Sequence, residues 1–117
     1  MTTEKAYSGQ VRQGDVLVER ASAKDIAGLK ETKPVFALGE NTGHHHRFNG
    51  PQTNGFYKEG DDNVMAGGTA LARFAEIVGK PDALVHEEHG PILRAPGVDR
   101  KIQQVEYARE FPRNVAD

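Results

Sequence analysis

The sequence predicts an all-β fold, a small antiparallel sandwich or barrel, jelly-roll-like, of roughly six to eight short strands with polar tails at both ends. Three observations lead there. Thirteen glycines and six prolines, with no tryptophan among 117 residues, favour turns and short elements over a helical bundle. Turn signals recur along the chain, among them Asn49-Gly50-Pro51, Thr53-Asn54-Gly55 and Ala95-Pro96-Gly97. Between them stand short runs rich in β-branched and aromatic residues.

Residues 1–13 are polar, with Tyr7 and Val11 as their sizeable apolar groups, and read as an N-terminal tail. Residues 14–107 then make a single β domain, and residues 108–117 a polar C-terminal tail containing Phe111-Pro112. Gly14-Asp15 punctuates the chain ahead of a first strand, Val16 to Arg20, with Val16 and Val18 on one face and Leu17 on the other. Residues 21–32 have room for one helical turn through Asp25-Ile26-Ala27-Gly28-Leu29. Pro34 to Glu40 is a second strand, with proline at its start, where a missing amide hydrogen is tolerated. Phe36 and Leu38 share one face of it and Val35 takes the other.

After the Asn41-Thr42-Gly43 turn, an extended segment places His44, His46 and Phe48 on one face and His45 and Arg47 on the other. The stretch up to Gly60 reads as a hairpin or exposed loop anchored by Phe56-Tyr57. Asp61-Asp62-Asn63 lacks the further oxygen ligands and the spaced glutamate of an EF-hand. Residues 69–78 are ambiguous: Leu71, Phe74 and Val78 fall at helical spacing, yet glycine-rich turns flank the segment, and the strand is preferred. Ala83–His86 and Pro91–Arg94 are short strands. The last strand runs from Val98 to Tyr107, with Val98 and Ile102 on one face and Val105 and Tyr107 on the other.

Composition narrows the function classes. The absence of cysteine excludes disulfides, thiolate nucleophiles and Cys-ligated zinc or iron–sulfur sites, so a metal must be held by histidine and carboxylate. Fifteen basic and seventeen acidic residues are interspersed, without the concentrated positive surface that nucleic-acid binding needs. No run of about 18 apolar residues spans a membrane, and the polar N-terminus is unlike a signal peptide, which points to the cytoplasm.

All five histidines fall in two short windows, His44-His45-His46 and His86-Glu87-Glu88-His89. Histidine is the commonest protein metal ligand, and two imidazoles at i and i+2 of a strand point the same way. His44 and His46 meet that condition. His86 and His89, three apart, need a turn to face one site, and Gly90-Pro91 supplies one. The four together suit a tetrahedral zinc shell; three of them with Glu88 suit an open site for zinc, iron, manganese or nickel. His45 is a lesser candidate. Glu87 and Glu88 have the chemistry of a general base or of residues that orient ligands. The alternative is that both histidine loops are solvated and merely cap turns or pair with the adjacent glutamates. Spacing excludes a zincin helix, and neither a nucleophile elbow nor a phosphate loop is present.

Gly-Glu-x-Thr-Gly-His-x-His at residues 39–46, His-Glu-Glu-His-Gly-Pro-Ile at 86–92 and Gln-x-Glu-Tyr at 104–107 resemble a group of small uncharacterised proteins from bacteria and their phages. That resemblance implies a family with this pair of histidine motifs, and no activity comes with it. A second resemblance is to cupins, whose β-barrels hold a metal with a His-x-His pair, a glutamate and a later histidine. His44 and His46 match the pair, but no glutamate stands at residues 50 or 51 and no histidine follows Pro96-Gly97, so only a histidine-lined β pocket carries over, as an analogy.

The expectation is a metal-binding protein using His44, His46, His86 and His89, with a divalent ion, zinc first, and a homo-oligomeric state. Two alternatives stand beside it. One is a structural or interaction module, such as a phage virion component with phage structural proteins as partners; the other is a metal-dependent enzyme.

Overall fold

A computed structural model describes residues 6–14, 16–38, 45–59 and 70–103. Among them ten strands form two antiparallel sheets. The strands are β1 (Val11–Gln13), β2 (Val16–Ala21), β3 (Lys30–Thr32), β4 (Val35–Leu38), β5 (His45–Phe48), β6 (Thr53–Tyr57), β7 (Phe74–Ile77), β8 (Asp82–Val85), β9 (Ile92–Arg94) and β10 (Gly97–Gln103). The larger sheet runs β1-β2-β10-β7-β6-β3 and the smaller β4-β5-β8-β9, giving the all-β sandwich that the turn-rich sequence predicts.

Alternation builds the core between the sheets. Val16 and Val18 of β2 with Ala75 and Ile77 of β7 meet Phe36, Ala37, Phe48 and Leu84 from the smaller sheet. The Phe36 and Phe48 rings pack edge to face with centroids 5.8 Å apart. A second cluster lies on the outer face of the larger sheet, where Phe56, Phe74 and Val98 are covered by Ala21, Ile26 and Leu29. The segment between β2 and β3 is therefore a cover: a 3-10 turn, Ala23–Ile26, whose Ser22 and Asp25 form a capping box.

Several expectations change. Residues 49–59 do not form a separate hairpin or exposed loop; β6 sits inside the larger sheet, pairing with β3 and β7. Its Gly55 lies where a Cβ would come within 2.5 Å of the Lys33 carbonyl oxygen, a close backbone approach that the turn-like Thr53-Asn54-Gly55 spelling conceals. The ambiguous segment is strand at Phe74–Ile77, its helical spacing overridden by pairing on both sides. Residues 11–13, expected in the tail, are β1, paired with β2. Residues 39–44, 60–69 and 104–117 lie outside the described residues, and with them His44, Asp61-Asp62-Asn63, Val105, Tyr107 and the C-terminal tail.

Long-range polar contacts secure the approach to β1. Tyr7 bridges Arg94 in parallel, its N–H donating to the Leu93 carbonyl at 2.9 Å and its own carbonyl accepting from Ala95 at 3.0 Å. Arg94 is fully buried. Its guanidinium makes two hydrogen bonds to buried Asp99, 2.8 and 2.7 Å, and a third at 2.5 Å to the Gly9 carbonyl. Such a two-point charge-assisted pair fixes orientation as well as adding attraction. It fastens residues 7–9 to β9, and so delivers β1 to the end of the sandwich where the histidines lie.

Candidate functional site

Three of the four histidines among the described residues come together. Ring centroids of His46 and His86 are 4.2 Å apart, those of His86 and His89 4.7 Å, and those of His46 and His89 5.9 Å. His46 is on β5, whose burial alternates so that His46 and Phe48 face inward while His45 and Arg47 are half-exposed. β5 pairs with β8 through Arg47–Val85 and Phe48–Leu84. Continuing that register one step sets His86 alongside His46, and a further step sets Glu87 alongside His45. The loop after β8 then curls so that His89, on the exposed side, closes the cluster.

Glu87 locks this register. Its carboxylate accepts the His45 backbone N–H at 3.0 Å and pairs with Arg47 at 3.0 Å. The amide, then the nearby cations, hold its carboxyl down to about 2. A carboxylate so stabilised is a weak proton acceptor, so the geometry gives Glu87 an anchoring role and not that of a general base. His45 turns away from the cluster, its Nδ1 at 3.9 Å from Glu87. Glu88 contributes its backbone N–H, which donates to Nδ1 of His86 at 3.0 Å.

Gln13, which carried no signal in the sequence, reaches the buried end of the cluster. It is 2% exposed, and its Oε1 lies 2.8 Å from Nδ1 of His46. Its amide nitrogen donates to the carbonyls of Leu84 at 2.9 Å and Gly90 at 3.0 Å, which ties β1 to β8 and to the end of the histidine loop. The following residue matters too. Gly14 has φ +60°, and a Cβ there would come within 2.6 Å of Nε2 of His89, so glycine both turns the chain and admits the ring.

Electrostatically, His46 is held as a neutral imidazole. Burial first, then the neighbouring His86 and His89 rings, hold His46 down to about 4. The His46 and His89 ring planes are 15° apart and stacked, so these two offer each other faces more than nitrogen lone pairs, while His86 is tilted against them by 32° and 43°. In agreement, among the described residues no group of three or more His, Asp or Glu side chains stands in a metal-holding arrangement. The second residue of the expected His-x-His pair, His44, is outside the described residues.

A two-sheet antiparallel sandwich with three histidines gathered at one end defines the class of this chain. It belongs to the family described as a domain of unknown function, DUF8820, which matches residues 12–104 and so takes in Gln13 and both histidine windows. Neither the curated proteins nor the solved structures gave a match.

Proposed function

We propose that the protein binds one divalent transition metal, zinc first, through His46, His86 and His89. His44 enters as a fourth ligand on its two-residue spacing from His46 alone. The observation that supports this is the convergence of three imidazoles from segments 40 residues apart in sequence, with centroids 4.2 to 5.9 Å apart. Ligands held at about 2.1 Å around one zinc ion put imidazole rings in that range. Three imidazole donors with no thiolate suit zinc, iron, nickel or manganese, in an order set by imidazole's preference for the later ions. Binding requires the rings to turn, and at His86 it costs the Glu88 N–H bond to Nδ1, whether the metal takes Nδ1 or the ring proton moves there to free Nε2. Protonation of the imidazoles competes with the metal, which couples affinity to pH.

A second reading follows from that same stacking. As packed rings the histidines simply fill the end of the sandwich, as a structural or interaction module such as a phage virion component would have them do.

Metal content of tag-free protein, measured by mass spectrometry after loading with zinc, iron, manganese and nickel, separates the two. Near one ion per chain, lost in a His46→Ala/His89→Ala variant that keeps the β-sheet circular dichroism, supports metal binding. No uptake of any of the four contradicts it and leaves the module.

A further inference from the structure

Gln13 is oriented by the hydrogen bonds of its amide nitrogen. Both N–H groups are taken by main-chain carbonyls, Leu84 and Gly90, and neither carbonyl can supply a proton. The orientation of the amide is thereby settled: the nitrogen faces the two carbonyls and Oε1 faces His46. An amide oxygen only accepts. The 2.8 Å contact to His46 is therefore a hydrogen bond donated by Nδ1–H, and in the neutral ring the lone pair is on Nε2. His86 is set the opposite way, since its Nδ1 accepts from the Glu88 N–H and its proton resides on Nε2. The two adjacent rings therefore carry different tautomers, and one of them is dictated by a residue of the N-terminal strand.

We propose that Gln13 is a positioning residue that fixes His46 as the Nδ1–H tautomer and makes Nε2 its ligating nitrogen. The affinity half of this rests on the metal-binding function proposed above; the tautomer half does not. A ligating histidine whose remote N–H is held by a fixed acceptor is oriented before the metal arrives, and removing such an acceptor typically lowers metal affinity about 10–100-fold. Because the same amide grips Leu84 and Gly90, it also sets the distance between His46 and the loop that carries His86 and His89.

The test uses full-length protein with Gln13→Met, which keeps the side-chain length and removes all three hydrogen bonds, and Gln13→Glu, which keeps an acceptor. Two-bond proton–nitrogen NMR correlations of the imidazoles in metal-free protein at pH 7.5 report the tautomer of His46 directly. The unaltered protein should show Nδ1–H at His46 and Nε2–H at His86, and Gln13→Met should show a mixture at His46 with the rest of the amide spectrum retained. Gln13→Glu should restore Nδ1–H at His46. Zinc affinity, measured by competition with a chelator, should fall about 10–100-fold in Gln13→Met. An Nε2–H tautomer at His46 in the unaltered protein overturns the proposal, as does wild-type zinc affinity in a folded Gln13→Met. Failure of the unaltered protein to bind zinc, with Nδ1–H nonetheless seen at His46, overturns the ligand assignment through the metal-binding function and not through Gln13.

Discussion

At the level of single residues, each imidazole of the cluster is placed by a different backbone device. His46 is set by strand alternation, His86 by register with β5, and His89 by the missing side chain of Gly14. The first was readable in the sequence, because alternation has a fixed period and His-x-His announces it; the β5–β8 register behind His86 was not, because strand pairing is long-range. Gln13 was not, because a lone glutamine in a polar stretch looks the same whether it is solvated or buried 2.8 Å from a histidine. The pH dependence belongs at this level. His46 titrates at about 4 in the fold, below its ordinary 6.5, so between these values the unfolded chain takes up a proton that the folded metal-free chain refuses. Stability from neutral His46 is thus fully present above pH 6.5 and is lost as pH falls towards 4. Urea unfolding of metal-free protein should show up to about 3 kcal/mol lost over that window, and His46→Gln should flatten the profile.

Elements carry the next set of constraints. β1 and β2 pair Gln13 with Val16, and Gly14 stands at φ +60° against the His89 ring. Gly14→Ala should cost about 1–2 kcal/mol for the left-handed conformation alone. It should also shift the His89 ring resonances while those of β6 and β7 stay in place. Strands such as β2, β5 and β10 were legible because their residues alternate, whereas β6 was hidden by Asn54-Gly55, which spell a turn. Gly55 is there because the Lys33 main chain passes too close for a side chain, a long-range fact that no local pattern encodes. The segment around Phe74 shows the converse: helical spacing was present, and pairing with β6 and β10 decided the outcome.

At the level of the whole molecule, the sandwich works as a clamp whose two sheets meet through polar as well as apolar contacts. The Lys101 ammonium on β10 donates to the Phe36 carbonyl at 2.6 Å, and the Arg94–Asp99 pair holds the path into β1. Arg94→Met removes the two-point pair and leaves Asp99 buried, with Arg20 at 3.4 Å as its remaining cation among the described residues. The loss should be about 3 kcal/mol or more, and protease cleavage before β1 should accelerate relative to the rest of the chain. All-β architecture was readable from glycine, proline and alternation. The joining of the N-terminal segment to both sheets was not, since it depends on Arg94 meeting Gly9 across 85 residues.

The most direct measurement of whether the three histidines act together as a metal site is a cobalt(II) titration of tag-free protein followed by visible absorption. Imidazole-bound cobalt gives d–d bands, and a chain without cysteine gives no thiolate charge-transfer band beneath them. A saturable spectrum at one cobalt per chain, abolished in His46→Ala and displaced by zinc, is the expected result. A featureless aquo-cobalt spectrum that His46→Ala leaves unchanged contradicts it.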